Sequence, residues 1–293
     1  MFETCADPKL LEGLSWLGCY LTSGKHLDFY WSFLTVLSLL VVTAPAALAM
    51  GFGGAMAARS QYFVIRILGK AYTAMVRGIP DIVFFLFFVI ALDQAIEWSV
   101  HQVRCPDWTD PIRNGLEFRV CPEAKMPSSN APQFWHQVYG FLLAVFTFAI
   151  VFGAFAANVM YGAMQAVPKA QLETGESFGM TQRQVSRRIL VPQMWVYALP
   201  GLANLWMILI KATPLLFLLG VKDIVYWARE LGGTKTLAFA YPHPDWRLYY
   251  FVGLLVFYLL MTWGSEKVLA RLSGRLNKGQ ATAAGEAQRR GAA

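Results

Sequence analysis

Long apolar stretches alternate with short charged clusters along the chain. No Asp, Glu, Lys or Arg interrupts the 30 residues between Asp28 and Arg59, the 32 between His136 and Lys169, the 22 between Arg188 and Lys211, or the 18 between Arg247 and Glu266. Crossing about 30 Å of hydrocarbon takes about 20 apolar residues in a helix, so each gap reads as a span. A fifth apolar run, Ile82–Leu92 (IVFFLFFVIAL), reaches spanning length if its helix starts upstream near Tyr72, with Arg77 at an interface. The pattern predicts an all-α polytopic membrane protein with five transmembrane helices, over about residues 30–56, 72–96, 137–160, 193–219 and 247–266. Around them lie an N-terminal segment (1–26), a polar insert (97–135), a loop (162–192) and a tail (273–293) whose Ala/Gly/Gln/Arg composition reads as disordered.

Composition agrees. Of 293 residues 56% are hydrophobic and only 15% charged, against roughly 25% charged in a soluble domain. Disorder of the whole chain, collagen and a disulfide-rich secreted module are excluded by the same balance. The net charge of +7 is unevenly placed. One side of the five-span arrangement collects 14 bases and four acids, the other 10 bases and 13 acids. The basic side is expected to be cytoplasmic, with the N-terminus outside and the C-terminus inside. The charge therefore signals orientation, and nucleic acid need not be invoked. Glu3, Asp7 and Glu12 stand where a cleavable signal would be basic, so the first span is expected to act as an uncleaved insertion signal. Cys5, Cys19, Cys105 and Cys121 all fall on the outer side, where disulfides persist. Cys105 and Cys121 bracket a turn-rich segment, and both a bridge and free thiols fit that placement. No metal spacing accompanies them.

Gly162–Pro192 (GAMQAVPKAQLETGESFGMTQRQVSRRILVP) carries the most local design. Pro168 suits the first turn of a helix, and Gly179 suits the left-handed position after a helix end. Thr181-Gln182-Arg183-Gln184 is a capping-box pattern that starts a second helix, expected to end near Pro192. A short helix, a glycine corner and another short helix are thus held between two spans. Such a knuckle is either a solvated connector or a rigid lever for a partner. Tethered to the bilayer on both sides, it could not track a DNA groove.

The loop resembles the EAA motif of bacterial binding-protein-dependent ABC importers, E-A-A-x3-G-x9-I-x-L-P. Glu173, Gly179, Ile189 and Pro192 match in spacing, while Thr174-Gly175 and Val191 depart from it. Gly162-Ala163-x-Gln165-Ala166-Val167-Pro168-Lys169-x-Gln171 and Gly179-Met180 are similar to the polar amino acid subfamily. So are Arg77-Gly78-Ile79-Pro80-Asp81, Leu199-Pro200-Gly201-Leu202-x-Asn204 and Lys211-x-Thr213. The histidine-, arginine- and opine-type importers are the nearest pattern. The resemblance, over about residues 30–271, implies an inner-membrane permease moving a polar amino acid or derivative by alternating access. It implies a second permease chain, identical or related, a pair of ABC ATPases below and a periplasmic solute-binding protein above. It also implies that Pro168, Glu173, Gly179, Met180, Ile189 and Pro192 form the ATPase-coupling surface. No G-x-x-x-x-G-K-[ST] occurs, for Val64 and Ala71 stand where it needs Gly and Ser or Thr around Gly69-Lys70. The chain is expected to bind no cofactor, with ATP and Mg used by the partner.

Ionisable groups in apolar runs are costly and usually functional. Lys211 lies two helical turns beyond Asn204, on the same face, and Pro200 and Pro214 interrupt that span. Asp81, Asn158, Asn204 and Lys211 are the substrate-pathway candidates. Asp81 also fits as a helix N-terminal acid, and Lys211 as a snorkelling side chain. Asn158 and Tyr161 stand where the subfamily commonly has Glu and Arg, which limits the substrate inference. The insert is long for the subfamily, and either contact with the binding protein or surface decoration fits it. The alternative function, an ion channel or proton-coupled carrier, calls for inverted repeats or several buried acids. A membrane enzyme calls for clustered catalytic groups, whereas His26, His101, His136 and His243 are scattered.

Overall fold

The computed structural model describes residues 5, 11–75, 80–115, 117–128, 130–219 and 221–276. Five helices among them are long and apolar enough to cross a membrane: Gly24–Ala58, Ile82–Arg104, Gln133–Ala166, Gln182–Phe217 and Arg247–Arg275. In chain order the elements are α1 (Gly13–Leu21), α2 (Gly24–Ala58), α3 (Phe63–Met75), α4 (Asp81–Arg104), a hairpin of β1 (Arg113–Asn114) and β2 (Glu117–Phe118), α5 (Gln133–Ala166), α6 (Lys169–Ser177), α7 (Gln182–Val185), α8 (Val191–Ala212), α9 (Ile224–Gly232) and α10 (Arg247–Leu276). A short 3₁₀ turn, Pro122–Ala124, follows the hairpin, and another, Thr213–Leu219, follows α8. Residues 273–276, expected in the tail, continue α10, because no proline stops the helix there. The remaining tail lies outside the described residues.

The central mast is α5. Ala149, Gly153, Ala156, Ala157 and Ala163 are buried along it, and Ala47, Gly51, Ala55 and Ala58 are buried along α2. Small residues at four-residue spacing let helix backbones approach closely, the main source of attraction where lipid tails are as apolar as the side chains. A Cβ on Gly51 would lie 2.6 Å from the Ala156 Cβ. At 35 and 34 residues, both helices run to about 50 Å at 1.5 Å per residue and overshoot the hydrocarbon.

The second span departs from expectation. Tyr72 belongs to α3, and α4 begins at Asp81 after Pro80, whose missing N–H and fixed φ suit a helix start. Tyr72 Oη donates to the Ile150 carbonyl (2.7 Å), and Phe85 packs on Phe148 with centroids 4.3 Å apart. Both partners flank the midpoint of α5, so the described end of α3 and start of α4 meet that helix halfway along. From there α4 carries on to Arg104, eight residues into the stretch assigned to the insert. A second interruption faces it. Past α8, Thr213 Oγ1 meets the Tyr258 hydroxyl at 2.8 Å, part-way along α10. The chain then turns, and α9 runs back to the insert end, where Trp246 N donates to the Gly232 carbonyl.

The insert end is cross-linked. Cys5–Cys19 and Cys105–Cys121 are disulfide-bonded. Buried Tyr20 of α1 donates to the Leu231 carbonyl (3.1 Å), meets His243 Nε2 (3.0 Å) and accepts from Tyr250 (3.2 Å). Tyr250 in turn meets His26 Nε2 at 2.6 Å.

The Tyr72 ring occupies a notch made by two absent side chains. A Cβ on Gly54 would lie 2.6 Å from the ring, and one on Gly153 would lie 2.6 Å from its hydroxyl and 3.3 Å from the Ala47 carbonyl. Gly153→Val is therefore expected to unseat α3 and to destabilise the detergent-purified protein by about 1–3 kcal/mol. Tyr72→Phe, which loses one hydrogen bond, should cost about 1 kcal/mol. Thermal unfolding followed by size-exclusion chromatography checks the order of the two effects.

Candidate functional site

The knuckle is built from both ends by backbone chemistry. Only Val167 and Pro168 separate α5 from α6, and Pro168 sits at the N-cap rather than inside the first turn. The far end of α6 closes in two bonds. Met180 N donates to the Gly175 carbonyl (3.1 Å) and Gly179 N to the Glu176 carbonyl (2.8 Å). These are the paired bonds of a Schellman cap, which needs a left-handed residue at the corner. Gly179 supplies it with φ +80°. The next helix starts at once, with both halves of the capping box formed: Gln184 N donates to Thr181 Oγ1 (3.4 Å) and Thr181 N to Gln184 Oε1 (2.8 Å). Gln182 Nε2 bonds the Glu176 carboxylate across the corner.

The expectation that the second arm ends near Pro192 is corrected. Gln182–Phe217 is one helical path of 36 residues, about 54 Å long. Proline inside a helix loses the bond to the fourth carbonyl back and crowds it. Here Ser186–Leu190 winds as a wider π-turn just before Pro192, which makes room for the ring without breaking the rod. The knuckle's second arm and the fourth span are thus one piece.

Beneath the knuckle lies a separate apolar core of Ala55, Met160, Ala163, Met164, Val167, Leu190, Met194 and Ala198, with Leu172 of α6 against it. Three methionines give it adaptable packing. Ile189 is half-buried, and its Cδ1 lies 2.6 Å from where a Gly175 Cβ would stand, so Gly175 is where α6 rests on the π-turn. The opposite face is bare: Glu173 is exposed, Phe178 is 81% exposed at the tip, and Pro168, Gly179 and Pro192 are exposed too. Met180 is half-buried against the corner.

The pathway candidates separate. Lys211 and Ile82, the second residue of α4, line one cavity of about 200 Å³ with Phe85, Phe148 and Phe152. Lys211 also borders a cavity of about 580 Å³ with Val225 and Tyr258. Asn204 lines a third, of about 290 Å³, beside Glu266 on α10. Asn158 is half-buried on α5 and lines none of the three. Asp81 is the first residue of α4; its side chain and Arg77-Gly78-Ile79 lie outside the described residues. Asp223 caps α9, with Oδ1 accepting from Tyr226 N (2.8 Å), while its fully buried Oδ2 has no partner among the described residues.

The family model for the binding-protein-dependent transport system inner membrane component matches residues 49–265. The chain belongs to that family. The permease is 30% identical over 250 residues to the histidine/lysine/arginine/ornithine transport system permease protein HisQ of Salmonella typhimurium (strain LT2), covering 84% of this chain and 92% of the relative. It is 28% identical over 242 residues to the arginine ABC transporter permease protein ArtQ of Escherichia coli (strain K12), covering 83% and 91%. Its fold is similar to a crystal structure of an amino acid ABC transporter with histidines, with a TM-score of 0.59 and 20% identity over 87% of this chain and 98% of the other. The permease is a multi-pass transport component and not itself an enzyme. The channel or secondary-carrier alternative is not favoured.

Three structural residues escaped the sequence reading. Gly175 looked like a mere departure from the motif, and its contact is visible only in three dimensions. Asp223 carried a readable signal, an N-cap type followed by an apolar run. Glu266 was counted only as a surface charge. Gly179→Ala is expected to cost about 1–2 kcal/mol at the corner, and Thr181→Ala about 1 kcal/mol. Membrane insertion should be unaffected in both. Limited proteolysis of the purified permease should show new cleavage between residues 177 and 182 in each variant.

Proposed function

We propose that this permease is half of the pore of an ATP-driven, binding-protein-dependent importer in the bacterial inner membrane. The loop end is cytoplasmic, so the N-terminus lies outside and the C-terminus inside. A pair of ABC ATPases binds ATP and Mg and takes the bare face of the knuckle (Glu173, Phe178 and the Gly179 corner) into a groove. A second permease chain completes the passage, and a periplasmic solute-binding protein loads it. The observation that carries this reading is the continuous helical path from Gln182 through the π-turn to Ala212. Any tilt imposed on the capped corner is delivered along a stiff helix to Lys211, about 29 positions and 44 Å away at 1.5 Å per residue.

Lys211 and the start of α4 are proposed as the mid-depth part of the passage. The positive N-terminal end of α4 and the Lys211 ammonium at one cavity suit an anionic group, and an amino acid carries one in its α-carboxylate. The substrate is a polar amino acid or derivative. The similarity to HisQ and ArtQ puts the basic amino acids first in order of testing.

Reconstitution tests this. The permease, co-expressed with the ATPase and binding protein of neighbouring genes, should give proteoliposomes in which liganded binding protein stimulates ATP hydrolysis and solute enters. Gly179→Ala should cut that stimulation at least tenfold, a loss of about 1.4 kcal/mol in coupling, while unstimulated hydrolysis persists. Lys211→Met should slow solute entry more than hydrolysis. Failure to recover an ATPase with the permease, or labelling of a Glu173→Cys variant only from outside the cell, would refute the proposal.

A further inference from the structure

At the loop end the last turn of α2 and the knuckle enclose a cavity of about 480 Å³. Its polar lining includes Arg59, Ser60, Gln61, Arg183 and Ser186, with Glu176 as its acid, already engaged by Gln182. Arg59 spends one Nη1 bond on the Met164 carbonyl at 3.4 Å. Neither arginine has a carboxylate partner. All four salt bridges among the described residues lie elsewhere, on Lys25, Arg119, Lys235 and Arg247.

Beside the cavity, α3 presents an apolar stripe. Phe63 and Val64 are 67% exposed, Ile67 48% and Leu68 65%, while Gly69 and Thr73 on the other face are buried. Positions i, i+1, i+4 and i+5 share one side of a helix, and Arg66 and Lys70 flank them. An exposed apolar stripe edged by cations suits the boundary between acyl chains and anionic headgroups. The cavity supplies a further feature, two guanidinium groups with no carboxylate partner and two hydroxyls at one place. That donor set matches a phosphate, and two guanidinium charges against the one Glu176 carboxylate leave the cavity net positive, which favours an anionic over a zwitterionic headgroup.

We propose that the cavity and the α3 stripe form one site for an anionic phospholipid of the inner leaflet. Its phosphate sits between Arg59 and Arg183, and its acyl chains lie along Phe63, Val64, Ile67 and Leu68. The lipid would touch α2 on one side and the knuckle on the other, so its occupancy enters the stiffness of the coupling joint. This inference rests on the loop end being cytoplasmic.

The test uses the full-length permease, purified in mild detergent, folded by thermal unfolding, and offered mixtures of phosphatidylglycerol and phosphatidylcholine. Retained lipid is read by native mass spectrometry. The wild type should retain phosphatidylglycerol preferentially. Arg59→Gln and Arg183→Gln should each weaken that preference about fivefold, and the double variant should abolish it. Equal retention of the two lipids, or a double variant that keeps the preference, overturns the proposal. So does displacement of the lipid by glycerol phosphate alone, which would reassign the site to a soluble anion, or by added ATPase subunits, which would give the cavity to them. None of these readouts needs transport, so failure here is separable from failure of the importer reading.

Discussion

In hydrocarbon a bare N–H or C=O costs several kcal/mol, so every interruption of a membrane helix must find shelter in protein or in a watery cavity. Among the described residues helices end or begin at depth in three places, and the fold can be understood as the way these ends are sheltered. The last turns of α3 and the first turns of α4 lie against the middle of α5, held by Tyr72 on Ile150 and Phe85 on Phe148. The end of α8 is closed by Thr213, whose hydroxyl donates to the Ile210 carbonyl (2.9 Å) and meets Tyr258. The start of α9 is closed by Asp223. The smallness of the α2 and α5 residues follows from the same constraint, because only close backbone approach gives the interrupted segments a wall to rest on.

That arrangement explains why a knuckle outside the hydrocarbon can matter inside it. A loop on flexible tethers would absorb a push. Here two residues join it to α5, and a π-turn keeps it continuous with α8. The π-turn resolves a conflict in the sequence between Pro192 and a helix that has to pass through it. Because Gly175 places α6 directly against that turn, the corner and the proline site act as one joint.

The four long charge gaps made their spans legible, since hydrocarbon length and helix rise leave little choice. The knuckle was legible for a different reason: Gly179 and Thr181-x-x-Gln184 are local signals that need no tertiary partner. What stayed hidden depended on distant residues or competing signals. The notch for Tyr72 is made by Gly54 and Gly153, which nothing local connects. Pro192 reads as a stop until the π-turn is seen. The charges Lys222, Asp223, Arg229 and Glu230 interrupt residues 221–232, so no span was expected there. In fact α9 is a half-length helix, with Ile224, Trp227, Ala228 and Leu231 buried and Glu230 bridging Lys25 (2.9 Å) and Lys235 (3.1 Å). The second span divided between the two cases: its apolar run was plain, but its start was not, because Tyr72 and Ile82 read as one stretch.

The two ends of the molecule are held by different physics. At the insert end two disulfides, a chain of buried Tyr and His hydrogen bonds, and ion pairs fix the geometry. Hydrogen bonds from Lys25 and Lys235 hold the Glu230 carboxyl below the usual range, and Arg247 holds Asp245 down to about 2. At the loop end there is no salt bridge among the described residues, and the packing is largely methionine and alanine under one corner capped from both sides. Directional bonds lock one arrangement, whereas non-directional apolar packing allows neighbouring arrangements at similar energy. The proposed coupling calls for this gradient: an end driven by a partner would have to shift against its core while the far end keeps its shape, so that the displacement is expressed at mid-depth, where helices end.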